Sequence, residues 1–231
     1  MMTTVHAPLR LHGYPVSNYF NAVRAALIEQ QRDFDIVLVR ASQDPAFLAR
    51  SPMGKIPVLE TPSGWISETV AILEYLEDTG PAVPLHPGDP FLRARARQAM
   101  NIVQMYVEAP VRSLFPGVFG QASNAPELVE SVRQMLVRAI GALERLHPSS
   151  TFLLGPEPGM ADLFAYYSVD IADRVTRYVY GQSLLHQSEA LRAWFDRMGQ
   201  RASTQVVMGD FEIAFKEYLA EKNSPYRCTN L

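Results

Sequence analysis

The sequence has little of what several classes of protein need. Its only cysteine, Cys228, is three residues from the end of the 231-residue chain, which excludes a disulfide framework and a cysteine-based metal site. This cysteine usage suits a reducing compartment, and we expect a cytoplasmic protein. The five histidines are scattered without metal-ligand spacing, so we predict no metal site.

Long apolar runs and excess charge are also lacking. No stretch reaches the roughly 18 apolar residues of a membrane-spanning helix, and the first residues lack the pattern of a secretion signal. The formal net charge is −3, so the composition offers no basic surface for a nucleic acid. Hydrophobic residues make up 48% of the chain, enough to bury a substantial core. We therefore expect neither membrane nor nucleic-acid partners.

The most informative stretch is 51–78, which reads SPMGKIPVLETPSGWISETVAILEYLED. It begins with an apolar strand, predicted over 56–59. A Thr-Pro-Ser-Gly turn and a second short strand follow, because proline presets one dihedral angle and Ser-Gly tolerates a tight reversal. Apolar residues at helical spacing then predict a helix that opens near residue 68.

Two features of this stretch point to a ligand. Pro57 stands where the first strand begins, and a cis bond before it would turn the N–H and C=O of Ile56 outward. Glu68 and Thr69 stand at the start of the helix, where backbone N–H groups favour a carboxylate. Glu68 also adds a negative charge for an amino group. This combination predicts a site for a small peptide with a free carboxylate.

The motif G-K-I-P-V-L followed by S-E-T-x-A-I-L-x-Y-L resembles the glutathione-binding half of the cytosolic glutathione transferases. In that family the proline is cis, the preceding residue pairs with the cysteinyl backbone of glutathione, and an acidic-hydroxyl pair holds the γ-glutamyl end. The resemblance implies these roles for Ile56, Pro57, Glu68 and Thr69. The alternative interpretation is an ordinary edge hairpin followed by a capped helix.

Ser17 is the first candidate for catalysis. It stands just ahead of a predicted helix, where the helix end provides partial positive charge. In serine-type members of the family the catalytic hydroxyl lies six residues before a valine and a basic residue, and Val23 and Arg24 fit this spacing. The resemblance implies that the Ser17 hydroxyl donates a hydrogen bond to the thiol of glutathione and favours its thiolate. A plain helix cap is the alternative.

Two neighbours compete with Ser17. Asn18 can donate from its amide, and some members of the family use an asparagine near this position. Other classes use a tyrosine off the first strand, which makes Tyr14 a candidate for the catalytic role and for the substrate pocket. We rank Ser17 first, Asn18 second and Tyr14 third.

The sequence departs from the family pattern at two positions. Ala22 stands where arginine or lysine is common, and Met53 stands where many members have a glutamine or histidine that reaches the glycine end of glutathione. The candidates for the carboxylate at that end are therefore Lys55, which adjoins the cis-proline motif, and Arg40.

The stretch 79–90, TGPAVPLHPGDP, marks a domain boundary because it is rich in proline and glycine and the periodicity changes across it. We predict a glutathione-binding domain over 1–80, a linker over 81–90 and an all-helical domain over 91–231. The first domain reads strand-helix-strand, a short helix capped by Asp44, then strand-strand-helix. With the resemblance, this order implies an α/β plus all-α fold: a thioredoxin-like domain followed by a helical bundle domain.

Three residues of the helical domain carry further expectations. Pro110 should kink or end the helix that follows the linker. Asp162, three residues after Gly159, resembles the family's capping motif at the start of a buried helix, so we expect a structural role for it. The aromatic residues of this domain should include some that face a substrate, and Tyr106 is our candidate from its helix position.

The resemblance implies a glutathione transferase that joins the glutathione thiolate to a small hydrophobic electrophile, as in detoxification. Glutathione would be the co-substrate, without a metal, and the protein would be a homodimer. Two alternatives stay open. One is a glutathione-dependent disulfide reductase or isomerase that uses the same site, and the other is a non-enzymatic binding protein on the same scaffold.

Overall fold

The structure, a computed structural model, describes residues 9–147 and 151–227, so Cys228 lies outside the described residues. The chain divides into two units, Met1–Leu85 and His86–Leu231. This division falls inside the stretch that the sequence analysis takes as a linker. Among the described residues, no helix is long and apolar enough to cross a membrane.

The first unit is built on a small mixed sheet. Its elements are β1 (Leu9–Gly13), α1 (Asn18–Glu29), β2 (Phe34–Leu38), α2 (Pro45–Leu48), β3 (Val58–Thr61), β4 (Gly64–Ser67) and α3 (Thr69–Asp78). The strand order is β2-β1-β3-β4, with β1 and β2 parallel and the other neighbours antiparallel. The predicted order of elements and the parallel crossover through α1 are confirmed.

The core of this unit lies on one face of the sheet. Leu11 on β1 pairs with Leu59 on β3, and both side chains are fully buried. A side chain at Gly13, on the same face as Leu11, would collide with the ring of Phe20, so α1 packs closely against the end of β1. Apolar residues of α1 and α3 complete this core because they recur at helical spacing.

The second unit is helical. Its elements are α4 (Pro90–Ile102), a π-helical segment (Val103–Glu108), α5 (Ala109–Arg112), α6 (Phe115–Val118), α7 (Pro126–Leu146), α8 (Met160–Tyr180), α9 (Glu189–Gly199) and α10 (Ala202–Glu221). Every residue from Met160 to Thr176 is buried, so α8 is the central helix of this unit. The predicted fold class, an α/β domain followed by an all-α domain, is confirmed.

Pro110 changes the type of its helix instead of ending it. The chain is π-helical over Val103–Glu108 and returns to α-helix at Ala109. Proline has no N–H to donate to the carbonyl of Tyr106, and its ring would clash with that carbonyl in a regular helix. The wider π turn removes this conflict, and the helix continues.

Asp162 has the structural role that the sequence predicts. One of its carboxylate oxygens accepts from the backbone N–H of Gly159 at 2.9 Å, which is the returning half of a capping box. The other oxygen accepts from the N–H of Leu153 and from Nε1 of Trp194, both at 2.8 Å. Burial raises the pKa of the Asp162 carboxyl, and these three donated hydrogen bonds act against that shift.

Candidate active site

The predicted site residues of the first unit meet at one end of the sheet. β1 and β2 are parallel and both end there, while β3 begins and β4 ends there, because His12 pairs with Val58 and Val58 pairs with Ser67. The segments that follow β1, β2 and β4 or precede β3 at this end contain nine predicted site residues: Tyr14, Ser17, Asn18, Arg40, Lys55, Ile56, Pro57, Glu68 and Thr69.

Ser17 is the N-cap residue of α1. Its Oγ accepts from the N–H of Phe20 at 3.3 Å, and its own N–H donates to the carbonyl of Tyr14 at 2.9 Å. The capping bond uses a lone pair of the hydroxyl oxygen, so the O–H proton can still be donated to another group. A helix cap and a hydrogen-bond donor to a thiol are therefore compatible roles for this residue.

The neighbours of Ser17 differ in exposure. Asn18, the first residue of α1, is only 5% exposed. Tyr14 is half-buried, and the guanidinium of Arg40 lies over its ring at 4.7 Å from the centroid. This cation–π contact holds Arg40, at the end of β2, beside the turn that carries Ser17.

The Ile56–Pro57 peptide bond is cis, as the resemblance implies. The predicted strand over 56–59 begins later than expected, at Val58, so Ile56 lies outside the ladder. Among the described residues, no hydrogen bond engages the backbone N–H or C=O of Ile56. These two groups are available to pair with the backbone of a peptide.

Ser51 holds the turn just before this bond. Its fully buried Oγ accepts from the N–H of Lys55 at 3.0 Å and donates to the Lys55 carbonyl at 2.8 Å. The backbone of Lys55 is thereby occupied, while its side chain is exposed. Ser51 thus fixes the position at which the open backbone groups of Ile56 begin.

The start of α3 has features of a binding site. Glu68, the residue before the helix, has φ +69° and ψ 116°, a region that is unfavourable for any residue except glycine. Its exposed side chain makes no capping bond, and Thr69, which is 6% exposed, begins the helix. The N–H groups of a first helical turn have no partner within the helix. They favour an anion here, and such backbone strain clusters at functional sites.

Tyr106 belongs to the second unit, where it lies in the π-helical segment and is 43% exposed. Its ring is therefore accessible on the surface of that unit. In residues 9–147 and 151–227, no group of three or more His, Cys, Asp and Glu could hold a metal ion.

The sequence analysis missed two polar residues at this site, Ser51 and Asn21. Asn21 is 1% exposed in α1, and its Nδ2 donates to the carbonyl of Pro15 at 2.8 Å. The signal that could have found it is helical spacing, because Asn21 lies three residues after Asn18 and four after Ser17 and so shares their side of the helix. Ser51 leaves a weaker signal, because serine is common ahead of a turn.

Comparison with known families decides the assignment of the fold. The profile described as "Glutathione S-transferase, N-terminal domain" matches residues 11–87, and the profile described as "Glutathione S-transferase, C-terminal domain" matches residues 126–197. The chain belongs to the glutathione S-transferase family. The predicted family and the predicted glutathione transferase are both confirmed, which favours an enzyme over the binding-protein alternative.

Individual relatives agree with this family. A glutathione S-transferase from Pseudomonas putida F1 is 34% identical over 211 residues, 91% of this chain and 96% of that protein. A maleylacetoacetate isomerase from Pseudomonas aeruginosa is 27% identical over 174 residues, 72% of this chain and 82% of the isomerase. The crystal structure of poplar glutathione transferase F1 has the same fold, with a TM-score of 0.78 at 21% identity over 90% of this chain and all of that chain.

Proposed function

We propose that this glutathione transferase joins the sulfur of glutathione to a small electrophilic substrate and that Ser17 stabilises the reacting thiolate. The observation that carries the proposal is the shared sheet end. There, a helix-capping hydroxyl at Ser17, the open backbone groups of Ile56 and the uncapped start of α3 at Glu68 come together. A tripeptide that has a thiol in its middle and charged groups at both ends matches this set of groups.

The binding mode follows from the chemistry of each group. The N–H and C=O of Ile56 would pair with the cysteinyl backbone of glutathione, as in the addition of a strand. The first turn of α3 and the Thr69 hydroxyl would hold the γ-glutamyl carboxylate, and Glu68 would receive the neighbouring ammonium group. Lys55 and Arg40 are the candidates for the glycine carboxylate, because both are basic and exposed at this end of the sheet.

The chemical step needs a thiolate at neutral pH. A free cysteine thiol has a pKa near ~8.5, and a hydrogen bond to a charged acceptor is worth roughly 1.5–3 kcal/mol. Donation from Ser17, with the dipole of α1, would lower the thiol pKa by about one to two units, since one unit is about 1.4 kcal/mol. The thiolate then attacks the electrophilic carbon, a C–S bond forms, and the leaving group departs with its bonding electrons. No covalent bond to the enzyme is required.

The second candidate function is glutathione-dependent isomerisation. It is favoured by the similarity to a maleylacetoacetate isomerase and to a zeta-class glutathione S-transferase from Euphorbia esula, which is 31% identical over 187 residues. In such a reaction the same thiolate adds to a conjugated double bond, the former double bond rotates, and the thiolate leaves again. Disulfide reduction on the same site stays a third candidate: the glutathione thiolate would attack the disulfide and release one thiolate, and a second glutathione would release the other with formation of glutathione disulfide.

We further propose that the enzyme is a cytoplasmic homodimer that acts in detoxification and that Tyr14 contacts the hydrophobic substrate. Light scattering on the purified protein tests the dimer. Assays on one preparation separate the reactions: a chloronitrobenzene electrophile for transfer, a cis-configured conjugated diacid for isomerisation, and a small disulfide for reduction. Turnover of the electrophile that falls in Ser17→Ala supports transfer. Turnover of the diacid alone establishes the second candidate instead.

A further inference from the structure

One amide side chain of α1 is almost fully buried. Asn21 is 1% exposed, and its neighbours Phe20, Ala22 and Val23 are equally buried. A polar side chain in such a position is unfavourable unless hydrogen bonds replace those it made with water. The hydrogen bonds of Asn21 therefore indicate why an amide is present.

One of these hydrogen bonds reaches the turn before Ser17, and another ends at the carbonyl of Ser17 itself. The Nδ2 of Asn21 donates to the carbonyl of Pro15 at 2.8 Å, and its backbone N–H donates to the carbonyl of Ser17 at 3.0 Å. The amide nitrogen must be the group that faces Pro15, because two carbonyl oxygens have no proton to share. Asn21 thus ties the turn before Ser17 to the helix after it.

Pro15 depends on this contact more than another residue would. Proline has no N–H, so its carbonyl is the only backbone group through which the turn can be held at that residue. The turn is closed at its ends by the bond from the Ser17 N–H to the Tyr14 carbonyl, and Asn21 holds its middle.

The oxygen of the Asn21 amide does not explain why an amide is present. This atom, Oδ1, is buried and has no hydrogen-bond partner within the described part of the chain. An unsatisfied buried acceptor of this kind destabilises a protein, because it loses its hydrogen bonds to water and gains none in exchange. A leucine of similar shape would avoid this destabilisation. The hydrogen bond from Nδ2 to the Pro15 carbonyl is therefore the contribution of Asn21 that a leucine could not make.

We propose that Asn21 is a positioning residue for catalysis, which holds the 14–17 turn through Pro15 and thereby fixes the direction of the Ser17 hydroxyl. This inference rests on the proposed role of Ser17 toward the glutathione thiol. A catalytic group has to be held within about 0.5 Å and 10–20° of its productive geometry, and a residue at a turn needs such support more than one within a helix. Binding of glutathione through Ile56 and Glu68 does not pass through this contact.

The test is Asn21→Leu, which keeps the shape and removes the donor. We expect the pH midpoint of the thiolate absorbance of bound glutathione to rise by about 0.5 to 1 unit and kcat/KM below that midpoint to fall about 3- to 10-fold, as for one neutral hydrogen bond. The KM for glutathione should stay within about twofold. Asn21→Ala is measured in the same way if Asn21→Leu does not fold.

Gln30 provides a matched control in the same helix. It is fully buried at the C-cap of α1, its Nε2 donates to Glu77 at 2.9 Å, and its Oε1 also has no partner among the described residues. Gln30→Met should lower the melting temperature and leave the thiolate midpoint in place. An equal rise of the midpoint in Gln30→Met would mean that any buried amide of α1 has this effect, which would overturn the inference.

The double variant Ser17→Ala with Asn21→Leu distinguishes a failure of the proposed positioning role of Asn21 from a failure of the proposed role of Ser17. If Asn21 acts through Ser17, Asn21→Leu has no further effect on the midpoint once the hydroxyl is gone. If Ser17→Ala alone leaves the midpoint unchanged, the proposed role of Ser17 fails, and this inference fails with it. If Ser17→Ala raises the midpoint and neither Asn21 variant does, the proposed function survives and Asn21 is only structural.

Discussion

Helices α3, in the first unit, and α8, in the second, both begin with backbone N–H groups that have no partner inside the helix. The chain provides a side-chain acceptor at the start of α8 but not at the start of α3. At α8 the chain supplies its own anion, because the Asp162 carboxylate accepts from Gly159, Leu153 and Trp194. At α3 the side chain of Glu68 is exposed, and it makes no capping bond. Both helices need an acceptor at their first turn, but only α8 has a carboxylate from its own chain there.

This contrast separates a structural polar group from a binding group. A buried carboxylate with three internal donors holds the fold, and it has no capacity left for a ligand. An exposed helix start preceded by a strained residue has donors to offer, and the strain at Glu68 persists only if the surrounding structure imposes it. Polar groups that the chain pairs with itself therefore differ from those it leaves for a substrate.

The largest effect is expected for Asp162→Ala. It leaves two buried N–H donors and one part-buried donor without an acceptor, at about 1–3 kcal/mol each, so the free energy of unfolding should fall by roughly 4 kcal/mol. Urea unfolding measures it. Asp162→Asn keeps one oxygen as an acceptor and should lose less than half as much. A loss below about 1 kcal/mol in Asp162→Ala would contradict the structural role.

Ser17→Ala should have the second-largest effect, and on catalysis more than on stability. Loss of a hydrogen bond to a thiolate, about 1.5–3 kcal/mol, lowers kcat/KM about 10- to 100-fold below the wild-type pH midpoint of the thiol. The free energy of unfolding should fall by only about 1 kcal/mol, as for a lost helix cap. Steady-state rates across pH and urea unfolding measure the two quantities.

Ser188 is the matched control, because it caps α9 in the second unit with the same geometry. Its Oγ accepts from the N–H of Leu191 at 3.3 Å, as the Oγ of Ser17 does from Phe20. Ser188→Ala should lower stability and leave kcat/KM unchanged. If both variants lose activity equally, Ser17 is only a helix cap.

The strain at Glu68 predicts a smaller difference between two variants. Glu68→Gly and Glu68→Ala both remove the carboxylate, but only glycine accepts φ +69° without strain. The glycine variant without ligand should be about 1 kcal/mol more stable to urea than the alanine variant. Glycine and alanine variants of Gln31, which has φ +55°, should show the same difference with glutathione binding intact. No difference at Glu68 would mean that the residue is not strained.

Gly159→Ser should have the smallest effect. The backbone of Gly159 is extended, with φ −134° and ψ −172°, a conformation that serine adopts without strain, and a serine hydroxyl at the N-cap accepts from the N–H of the third helical residue, here Asp162. We expect a gain of a few tenths of a kcal/mol in unfolding free energy, and a loss in Gly159→Ala, which has no hydroxyl. Equal stabilities of the serine and alanine variants would contradict the interpretation that this capping box lacks only the hydroxyl at its N-cap.

Most of the fold could be predicted because it depends on local patterns. The Thr-Pro-Ser-Gly turn lies between β3 and β4 as expected, and α3 begins at Thr69, next to the predicted residue 68. The predicted cap of α2 is wrong in its detail. The carboxylate of Asp44 accepts from the Ser42 hydroxyl at 2.8 Å and makes no capping bond. The Ser42 hydroxyl and the first N–H groups of α2 are competing donors to this one carboxylate, and such competition is not visible in residue types.

The site residues that belong to a short sequence motif could be predicted. Those that act through tertiary contacts could not. Ile56, Glu68 and Ser17 come from short patterns in sequence, although their roles stay predictions. Ser51 and Asn21 act through the carbonyls of other residues, and any residue type offers a carbonyl. The π-helical turn before Pro110 likewise required the coordinates, because a proline predicts a disturbance but not its form.

The most direct test of the glutathione site is a thermal-unfolding titration with glutathione on the wild type, Glu68→Ala and Glu60→Ala. Glu60 is the control because its carboxylate is already paired with Arg10 and His12, whereas the Glu68 side chain makes no capping bond. Ligand at 100 times its Kd adds about 2.7 kcal/mol, which raises the melting temperature by several degrees. We predict this rise for the wild type and Glu60→Ala, and a much smaller rise for Glu68→Ala. An undiminished rise in Glu68→Ala would contradict a glutathione site at the start of α3.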